Sequence, residues 1–224
     1  MLSYRLIRSK RKTVAVFITK DAQVEVRAPL RASASFIERF LAEKESWIQA
    51  HLEQRKRDLL KRADFSVGEG DTLLFLGREY PVHLSLGYHK PFFNGEQFLL
   101  PQQDFSENKP LIIGLYKNLA KSYIDEKVQF YSRLVGVTPS AVRVGSASTR
   151  WGSCSGKNSL NFTWKLILAP EKAVDYVIVH ELCHILQHNH SPRFWKEVQR
   201  VLPDYKEREL LLRQLQKRLA AEDW

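Results

Sequence analysis

The histidines of this chain are concentrated in one short segment. Four of the seven fall between residues 180 and 190, in the run HELCHILQHNH. His180 and His184 are four residues apart, so on a helix their imidazoles share one face and can bind one tetrahedral metal ion. Glu181 follows the first histidine directly, where its carboxylate can reach a water molecule activated by that metal. This is the HExxH arrangement of zinc-dependent peptidases, with Glu181 as the catalytic general base.

A catalytic zinc site normally has three protein ligands and one open position, so a third donor is required. His188 lies on the same helical face as His180, but a regular helix would separate their backbones by about 12 Å. His190 is better placed if the helix ends near His188 and the chain turns back, with Asn189 in the left-handed conformation that asparagine tolerates. We therefore expect His190 to be the third ligand and His188 to lie at the surface or to support another ligand.

The helix that carries these residues is predicted without reference to the motif. Apolar residues recur with helical period from residue 173 to residue 186, and Pro170 with Glu171 suits a first turn. Leu160 to Leu168 is predicted to be a strand directly before this helix, where it could line the cleft and pair with an extended peptide by β-addition. A second strand is predicted at residues 142–144, and the segment RWGSCSG, residues 150–156, joins the two.

The remaining elements divide the chain into two predicted regions. Apolar and polar residues alternate over residues 3–28, which predicts a two-stranded hairpin. One long helix is predicted to follow from Ser33, with Ser33 or Ser35 as its N-cap. Short strands are predicted between Gly68 and Leu100, and an amphipathic helix from Leu111 to Val135. Because residues 102–110 are polar and rich in turn formers, we place a boundary near residue 105. The expected α+β organisation is a β-rich N-terminal region with one long helix, 1–105, and a metal-binding region, 106–224.

The amino-acid composition indicates which broad classes of protein this chain can belong to. With 44% hydrophobic, 11% aromatic and 27% charged residues, the chain is expected to fold as a globular protein. It holds no apolar run of the roughly 18 residues that a spanning helix needs and no signal-peptide core, so we expect a cytoplasmic protein without a membrane partner. Cys154 and Cys183 are too few for a disulfide framework and lack CxxC spacing.

Two alternatives compete with the hydrolase hypothesis. The net charge of +10 and the run Arg55-Lys56-Arg57 are compatible with a basic nucleic-acid-binding module that carries a structural metal, or with a protease acting on DNA-associated proteins. A structural zinc site prefers four Cys or His ligands, however, whereas this segment offers three histidines and a carboxylate. Cys154 as a nucleophile is the other alternative, since a lone cysteine near histidines can form a covalent intermediate.

Three segments carry a resemblance to a known family. RWGSC at 150–154, DYVIVHELCH at 175–184 and NHSPRFW at 189–195 resemble the YgjP-like family of predicted zinc metallopeptidases, which is similar in turn to the SprT-like proteases. The resemblance is strongest over residues 143–205. It implies a zincin-like fold, a Zn²⁺ cofactor held by His180, His184 and His190, and a protein or peptide substrate. The oxyanion-stabilising group stays open among Arg150, Tyr176 and Tyr205.

Overall fold

A computed structural model describes residues 2–224 of the chain. These residues form two compact units, one running up to Phe65 and including Arg218–Asp223, the other comprising Ser66–Lys217 and Trp224. The described residues hold six α-helices, one 3₁₀ helix and ten strands in three mixed sheets, so the predicted α+β class is confirmed. The boundary predicted near residue 105 falls inside the second unit, and separate folding of the regions on either side of it stays a prediction.

Three strands and two helices build the first unit. They are β1 (Arg5–Ser9), β2 (Ala15–Ile18), β3 (Val24–Pro29), α1 (Ala34–Glu43) and α2 (Glu45–Ala63). The strand order is β1-β3-β2, with β3 antiparallel to β2 and parallel to β1. The predicted hairpin is therefore confirmed, but the prediction of only two strands in this stretch is wrong. It missed β1 because that strand is exposed along most of its length and shows no regular alternation of burial.

The helix predicted from Ser33 is two consecutive helices. Ser33 caps α1, because its hydroxyl accepts a hydrogen bond from the Phe36 N–H at 3.2 Å, and the helical geometry is interrupted at Lys44. The apolar face nevertheless continues across the interruption and packs on the sheet. The buried core of the unit consists of Val24, Val26, Ala28, Ile37, Leu41 and Ile48. Hydrophobic periodicity therefore identified the buried face, although it did not detect the break.

The second unit begins with a four-stranded sheet. Its strands are β4 (Thr72–Phe75), β5 (Arg78–Ser85), β6 (Phe92–Phe93) and β7 (Phe98–Pro101), in the order β4-β5-β7-β6. This confirms the short strands predicted between residues 68 and 100. Leu76 and Gly77 have φ values of 50° and 77° and form the tight turn between β4 and β5. A Cβ at Gly77 would lie 2.7 Å from the Pro170 backbone, so only glycine permits this approach.

A long helix, α3 (Phe105–Val135), follows this sheet and ends at Gly136 in the left-handed conformation. The prediction started this helix at Leu111, six residues too late, because residues 102–110 have the composition of a turn. Tertiary contacts override that composition. The side-chain amide of Asn108 is buried and donates to the carbonyls of Pro101 at 3.0 Å and Gln103 at 3.2 Å, which ties the first turn to the preceding loop.

The third sheet contains β8 (Ala141–Gly145), β9 (Gly152–Cys154) and β10 (Ser159–Thr163), in the order β8-β10-β9. β10 is parallel to β8 and antiparallel to β9. The strand predicted from Leu160 to Leu168 is wrong in its second half, because Trp164–Leu168 form a 3₁₀ helix. That helix is almost entirely buried, and a short buried apolar run has the same composition in a strand and in a helix.

Three helices complete the unit: α4 (Glu171–Leu186), α5 (Pro192–Val201) and α6 (Tyr205–Leu219). The predicted helix at 170–186 is thus confirmed. Asp175 on α4 is 8% exposed and connects it to two other helices. The Lys127 ammonium lies 3.2 Å from its Oδ1 and the Arg208 guanidinium 3.6 Å from its Oδ2.

Among residues 2–224, no helix combines the length and the apolar character that crossing a membrane requires.

Candidate metal centre

Three histidine side chains converge next to α4. His180 Nε2 lies 3.2 Å from His184 Nε2 and 3.0 Å from His190 Nε2, and one ligand atom from each of the three falls within 4.8 Å of the others. Zinc–nitrogen bonds of about 2.05 Å in a tetrahedral site separate the nitrogens by about 3.3 Å, which is close to these distances. His188, the competing candidate for third donor, is exposed and does not belong to the group.

The chain reversal that returns His190 to the helix differs from the predicted one. α4 ends at Leu186, and Gln187 takes an extended conformation with φ −141° and ψ 101°. Asn189 does not have the positive φ that we predicted for it. The extended Gln187 also has a role at the site, because its carbonyl oxygen lies 3.1 Å from His184 Nδ1. A proton on Nδ1 donated to this carbonyl leaves the lone pair of Nε2 directed towards the other histidines.

The charge state of these imidazoles suits a cation. Burial, together with His184 and His190, lowers the pKa of His180 to about 3, and burial lowers the pKa of His184. Near neutral pH, His180 and His184 are therefore neutral and their lone pairs are available. His180 Nδ1 is buried without a hydrogen-bond partner. The neutral Nε2 atoms of His180 and His184 lie 3.2 Å apart, which brings their lone pairs close together, and a shared metal ion relieves that repulsion.

Two aromatic residues of α5 form the floor under the histidines. Ser191 caps this helix by accepting from the Phe194 N–H at 3.4 Å, and Pro192 occupies its first turn. The Phe194 ring is fully buried, with its centroid 4.9, 4.5 and 4.9 Å from the rings of His180, His184 and His190. Trp195 stacks on His190 at 5.7 Å. Sequence reasoning assigned no role to either aromatic residue, because their contacts depend on the chain reversal.

Glu181 is buried next to the same histidines, with 6% of its surface exposed. Burial raises its pKa to about 7, while Arg150 and a hydrogen bond from the Cys154 N–H both oppose this shift. A carboxylate with such a pKa can exchange a proton near neutral pH, which a carboxylate of ordinary acidity does poorly.

Space for Glu181 depends on Gly152 of β9. A Cβ at position 152 would lie 2.7 Å from Glu181 Cγ and 2.8 Å from Glu181 Oε1. A residue with a side chain at position 152 would therefore displace the Glu181 carboxylate. The segment RWGSC thus supplies a charge at Arg150, free space at Gly152 and a backbone donor at Cys154. The segment was recognised from the sequence, but these functions were not, because they require β9 to pack against α4.

A cleft of about 310 Å³ opens beside His180 and Glu181. Its other lining residues are Trp151, Gly152, Tyr176, Val177, Glu209, Leu212, Arg213 and Gln216. Tyr176 meets the His180 ring edge-on at 5.7 Å, and burial raises its pKa to about 12. Tyr205 stacks between Tyr176 and Trp195, with centroid distances of 6.4 and 5.4 Å. Of the three oxyanion candidates, Tyr176 therefore lines the cleft, Arg150 acts on Glu181, and Tyr205 supports aromatic rings.

The two cysteines do not have the environment of nucleophiles. Burial and the neighbouring Glu181 raise the pKa of Cys154, whereas a reactive thiol needs a lowered one. Cys183 is fully buried in α4, and burial raises its pKa to about 12. Their surroundings therefore favour the metal-dependent hypothesis over a cysteine nucleophile.

Comparison with known proteins shows the family of this chain. A family model described as YgjP-like, metallopeptidase domain, matches residues 12–215. No curated protein matches the chain significantly. Among solved structures, the metallopeptidase zymogen abylysin of Pyrococcus abyssi is 19% identical, with a TM-score of 0.39 over 44% of this chain and 97% of that one. The zymogen jannalysin of Methanocaldococcus jannaschii is 23% identical, with a TM-score of 0.37 over 41% and 94%. Because the family model spans nearly the whole sequence, the chain belongs to the YgjP-like family and carries its metallopeptidase domain.

Proposed function

We propose that this protein is a zinc-dependent metalloendopeptidase in which His180, His184 and His190 hold the metal and Glu181 is the catalytic general base. Membership of a metallopeptidase family implies a metal cofactor and a protein or peptide substrate. The observation that carries the rest is the convergence of three imidazole nitrogens, 3.0 to 3.2 Å apart, beside a buried carboxylate.

The donor set supports zinc. Three imidazoles with one coordination position left open are typical of catalytic zinc sites, whereas structural sites are closed by four Cys or His ligands. When bound, the ion would supply Lewis-acid chemistry, polarising the substrate carbonyl and lowering the pKa of a water molecule. Other first-row ions also bind imidazole, so the choice of zinc rests on the ligand number and on the following glutamate.

The chain itself supplies the proton transfers. Glu181 can take a proton from the attacking water and return it to the leaving amine, and its raised pKa suits both steps near neutral pH. Gly152 leaves room for the carboxylate, and the Cys154 N–H and Arg150 stabilise its charged form. Tyr176 is the oxyanion-stabilising candidate that lines the cleft, and its raised pKa keeps it a hydrogen-bond donor.

The strand that pairs with a substrate peptide must differ from the one we predicted at residues 160–168. β10 is the central strand of its sheet, with β8 and β9 on its two sides, so it has no open edge for a peptide. β9 is an edge strand, and its Gly152 touches Glu181. We therefore move the proposed β-addition from β10 to β9, where an extended peptide would lie next to the general base.

The nucleic-acid alternative has less support. Two of the three cations in the run 55–57 already have polar partners, since Lys56 pairs with Glu53 at 2.9 Å and Arg57 donates to Gln54 at 2.9 Å. A purely structural metal would also not explain why the Glu181 carboxylate is buried beside the histidines. A protease that acts on DNA-associated proteins remains compatible with the charge of +10, and retention on DNA at physiological salt would test it.

Elemental analysis of the purified protein, combined with a casein-type peptidase assay, tests the proposed function. Wild-type protein should contain about one zinc per chain, Glu181→Gln should keep the zinc and lose hydrolysis, and His190→Ala should lose the zinc. His188→Ala is the matched control, because this exposed histidine lies outside the group, and it should retain metal and activity. Full activity in Glu181→Gln, or equal zinc loss in the His188 and His190 variants, would contradict the proposal.

A further inference from the structure

A groove of about 270 Å³ lies in the first unit between β2 and α2. The strand contributes Val16, Phe17 and Ile18, and the helix contributes Trp47, His51, Gln54, Arg55 and Asp58. The helix residues follow the spacing i, i+4, i+7, i+8, i+11, so they form one continuous face along the strand. β2 is an edge strand, because it pairs with β3 alone. The groove therefore runs beside an open sheet edge.

The alternation of hydrogen bonds between β2 and β3 shows which backbone groups of β2 face the groove. The Thr19 N–H donates to the Gln23 carbonyl at 2.8 Å, and Phe17, two residues earlier in the chain, lies opposite Glu25. In an antiparallel pair, residues that exchange hydrogen bonds alternate with residues whose N–H and C=O point away. The N–H and C=O groups of Val16 and Ile18 therefore point to the open edge. Their side chains pack against the core of the unit.

Arg55 is a cation without a partner within the described residues. It is half-buried in the groove, yet it forms no ion pair or hydrogen bond with any of residues 2–224. The only acidic side chain of the groove, Asp58, already accepts a hydrogen bond from Gln54 at 2.8 Å. Up to Phe65 the chain holds 15 Lys and Arg against 8 Asp and Glu, so +7 of the net +10 lies there. A ligand with an acidic group would satisfy Arg55 and match this charge.

Trp47 and His51 form an aromatic ledge about two turns and one turn, respectively, before Arg55 on α2. The Trp47 side chain is 43% exposed and stacks on His51, with centroids 4.1 Å apart and an interplanar angle of 28°. His51 Nδ1 lies 2.8 Å from the Trp47 carbonyl oxygen, which fixes the imidazole in this position. The ledge offers an apolar side chain a rigid surface, and Arg55 offers a carboxylate a partner close by.

We propose that this groove is a second peptide-binding site, in which an extended acidic segment of a protein adds to β2 and places alternate side chains against Trp47 and Arg55. A peptide is favoured over a nucleic acid because of the backbone groups at this edge. The open edge of β2 presents both donors and acceptors, which a peptide backbone matches, whereas a phosphodiester backbone offers acceptors only.

Fluorescence anisotropy with the full-length Glu181→Gln protein tests this site without cleavage of the probe. The probe is a labelled peptide of about ten residues in which every second residue is threonine and the positions between alternate valine and glutamate, so valine and glutamate share one face of the extended chain. We expect saturable binding, weakened about tenfold or more by Arg55→Glu and several-fold by Trp47→Ala. Lys56→Glu makes the same charge change on the opposite face of α2, where Lys56 pairs with Glu53 outside the groove, and Leu60→Ala removes a residue that is 68% exposed on the same helix. Both controls should bind within about twofold of the parent. Equal weakening by the two charge reversals would overturn the proposal.

Two N-methylated probes test the backbone pairing directly. One carries N-methyl groups on the threonines and the other on the valines and glutamates, so each blocks the N–H groups on one edge of the extended peptide. Only one of the two should lose binding, because only one edge can pair with β2. Equal effects of the two would overturn β-addition, and tighter binding of single-stranded DNA than of the acidic peptide would overturn the choice of ligand. Neither measurement depends on hydrolysis, so their failure is distinguishable from failure of the proposed peptidase function.

Discussion

Most charged side chains on α2 lie in solvent, whereas two of the four on α4, Asp175 and Glu181, are buried. On α2, Lys56 and Glu53 form an ion pair at 2.9 Å with about half of each side chain exposed. On α4, Asp175 and Glu181 are 8% and 6% exposed. Burial removes the screening by water, so the same kind of contact becomes stronger and pKa values move further from their ordinary range. The first unit can therefore change its surface at small cost, while the helix that bears His180 and His184 tolerates little change.

Removal of the Phe194 ring should have the largest effect. Phe194→Ala deletes a fully buried ring that touches three histidines, and we expect a loss of about 4 kcal/mol in the free energy of unfolding. Chemical denaturation of the metal-free protein measures it. Phe130→Ala removes a ring that is 54% exposed and should change stability by less than about 1 kcal/mol. Zinc affinity should also fall in Phe194→Ala, and unchanged affinity would show that the ring does not position the histidines.

Loss of the Asp175 charge should cause the second-largest loss of stability. Asp175→Asn leaves Lys127 and Arg208 without their shared carboxylate, and breaking a largely buried pair costs about 3 kcal/mol. Glu53→Gln breaks the exposed pair on α2 and should leave the free energy of unfolding nearly unchanged, because water and salt screen such a pair. Denaturant titration of both variants compares buried and exposed pairs within one protein. Similar costs for the two would refute the contrast between α2 and α4.

Gly152→Ala should impair the reaction while sparing the metal. The new Cβ would lie 2.7 Å from Glu181 Cγ, so the carboxylate must move, and we expect peptidase activity to fall about a hundredfold, equivalent to about 2.7 kcal/mol. Zinc content should stay at the wild-type level. Gly156→Ala is the matched control from the same segment, since its Cβ would meet no atom within 4 Å. Wild-type activity in Gly152→Ala would show that the position of Glu181 is not critical.

The raised pKa of Glu181 predicts a pH-dependent cost to folding of about 3 kcal/mol. In the metal-free protein the folded state holds this proton up to a pKa of about 7, whereas the unfolded state releases it near 4.5. The contribution of Glu181 to stability therefore declines as the pH rises from 4.5 to 7 and is constant above. His180, with its pKa lowered to about 3, acts in the opposite direction between pH 3 and 6.5, so Glu181 must be isolated by difference.

Metal-free Glu181→Gln provides that difference. The variant should be more stable than wild type by about 3 kcal/mol at pH 8 and nearly equal to it at pH 4.5, because glutamine keeps the shape and carries no charge. Thermal unfolding across this pH range measures the gap. A gap that does not change with pH would mean that burial does not raise the pKa of Glu181.

Sequence reasoning succeeded where the determining interactions are local. The helix from residue 171 to residue 186 followed from its apolar period, and the spacing of His180 and His184 placed both imidazoles on one face. It failed where packing outweighs composition. The first turn of α3 is held by the buried Asn108, and Trp164–Leu168 coil into a 3₁₀ helix although their apolar run resembles a strand.

By itself, the sequence determined that two histidines and a glutamate share one helix, because residues four apart on a helix must be neighbours. Only the tertiary structure decided which further residues complete the site. His190 returns because the chain reverses at an extended Gln187, and Gly152 and Phe194 matter because β9 and α5 pack against α4. Such contacts join residues distant in sequence, and no local period or propensity encodes them.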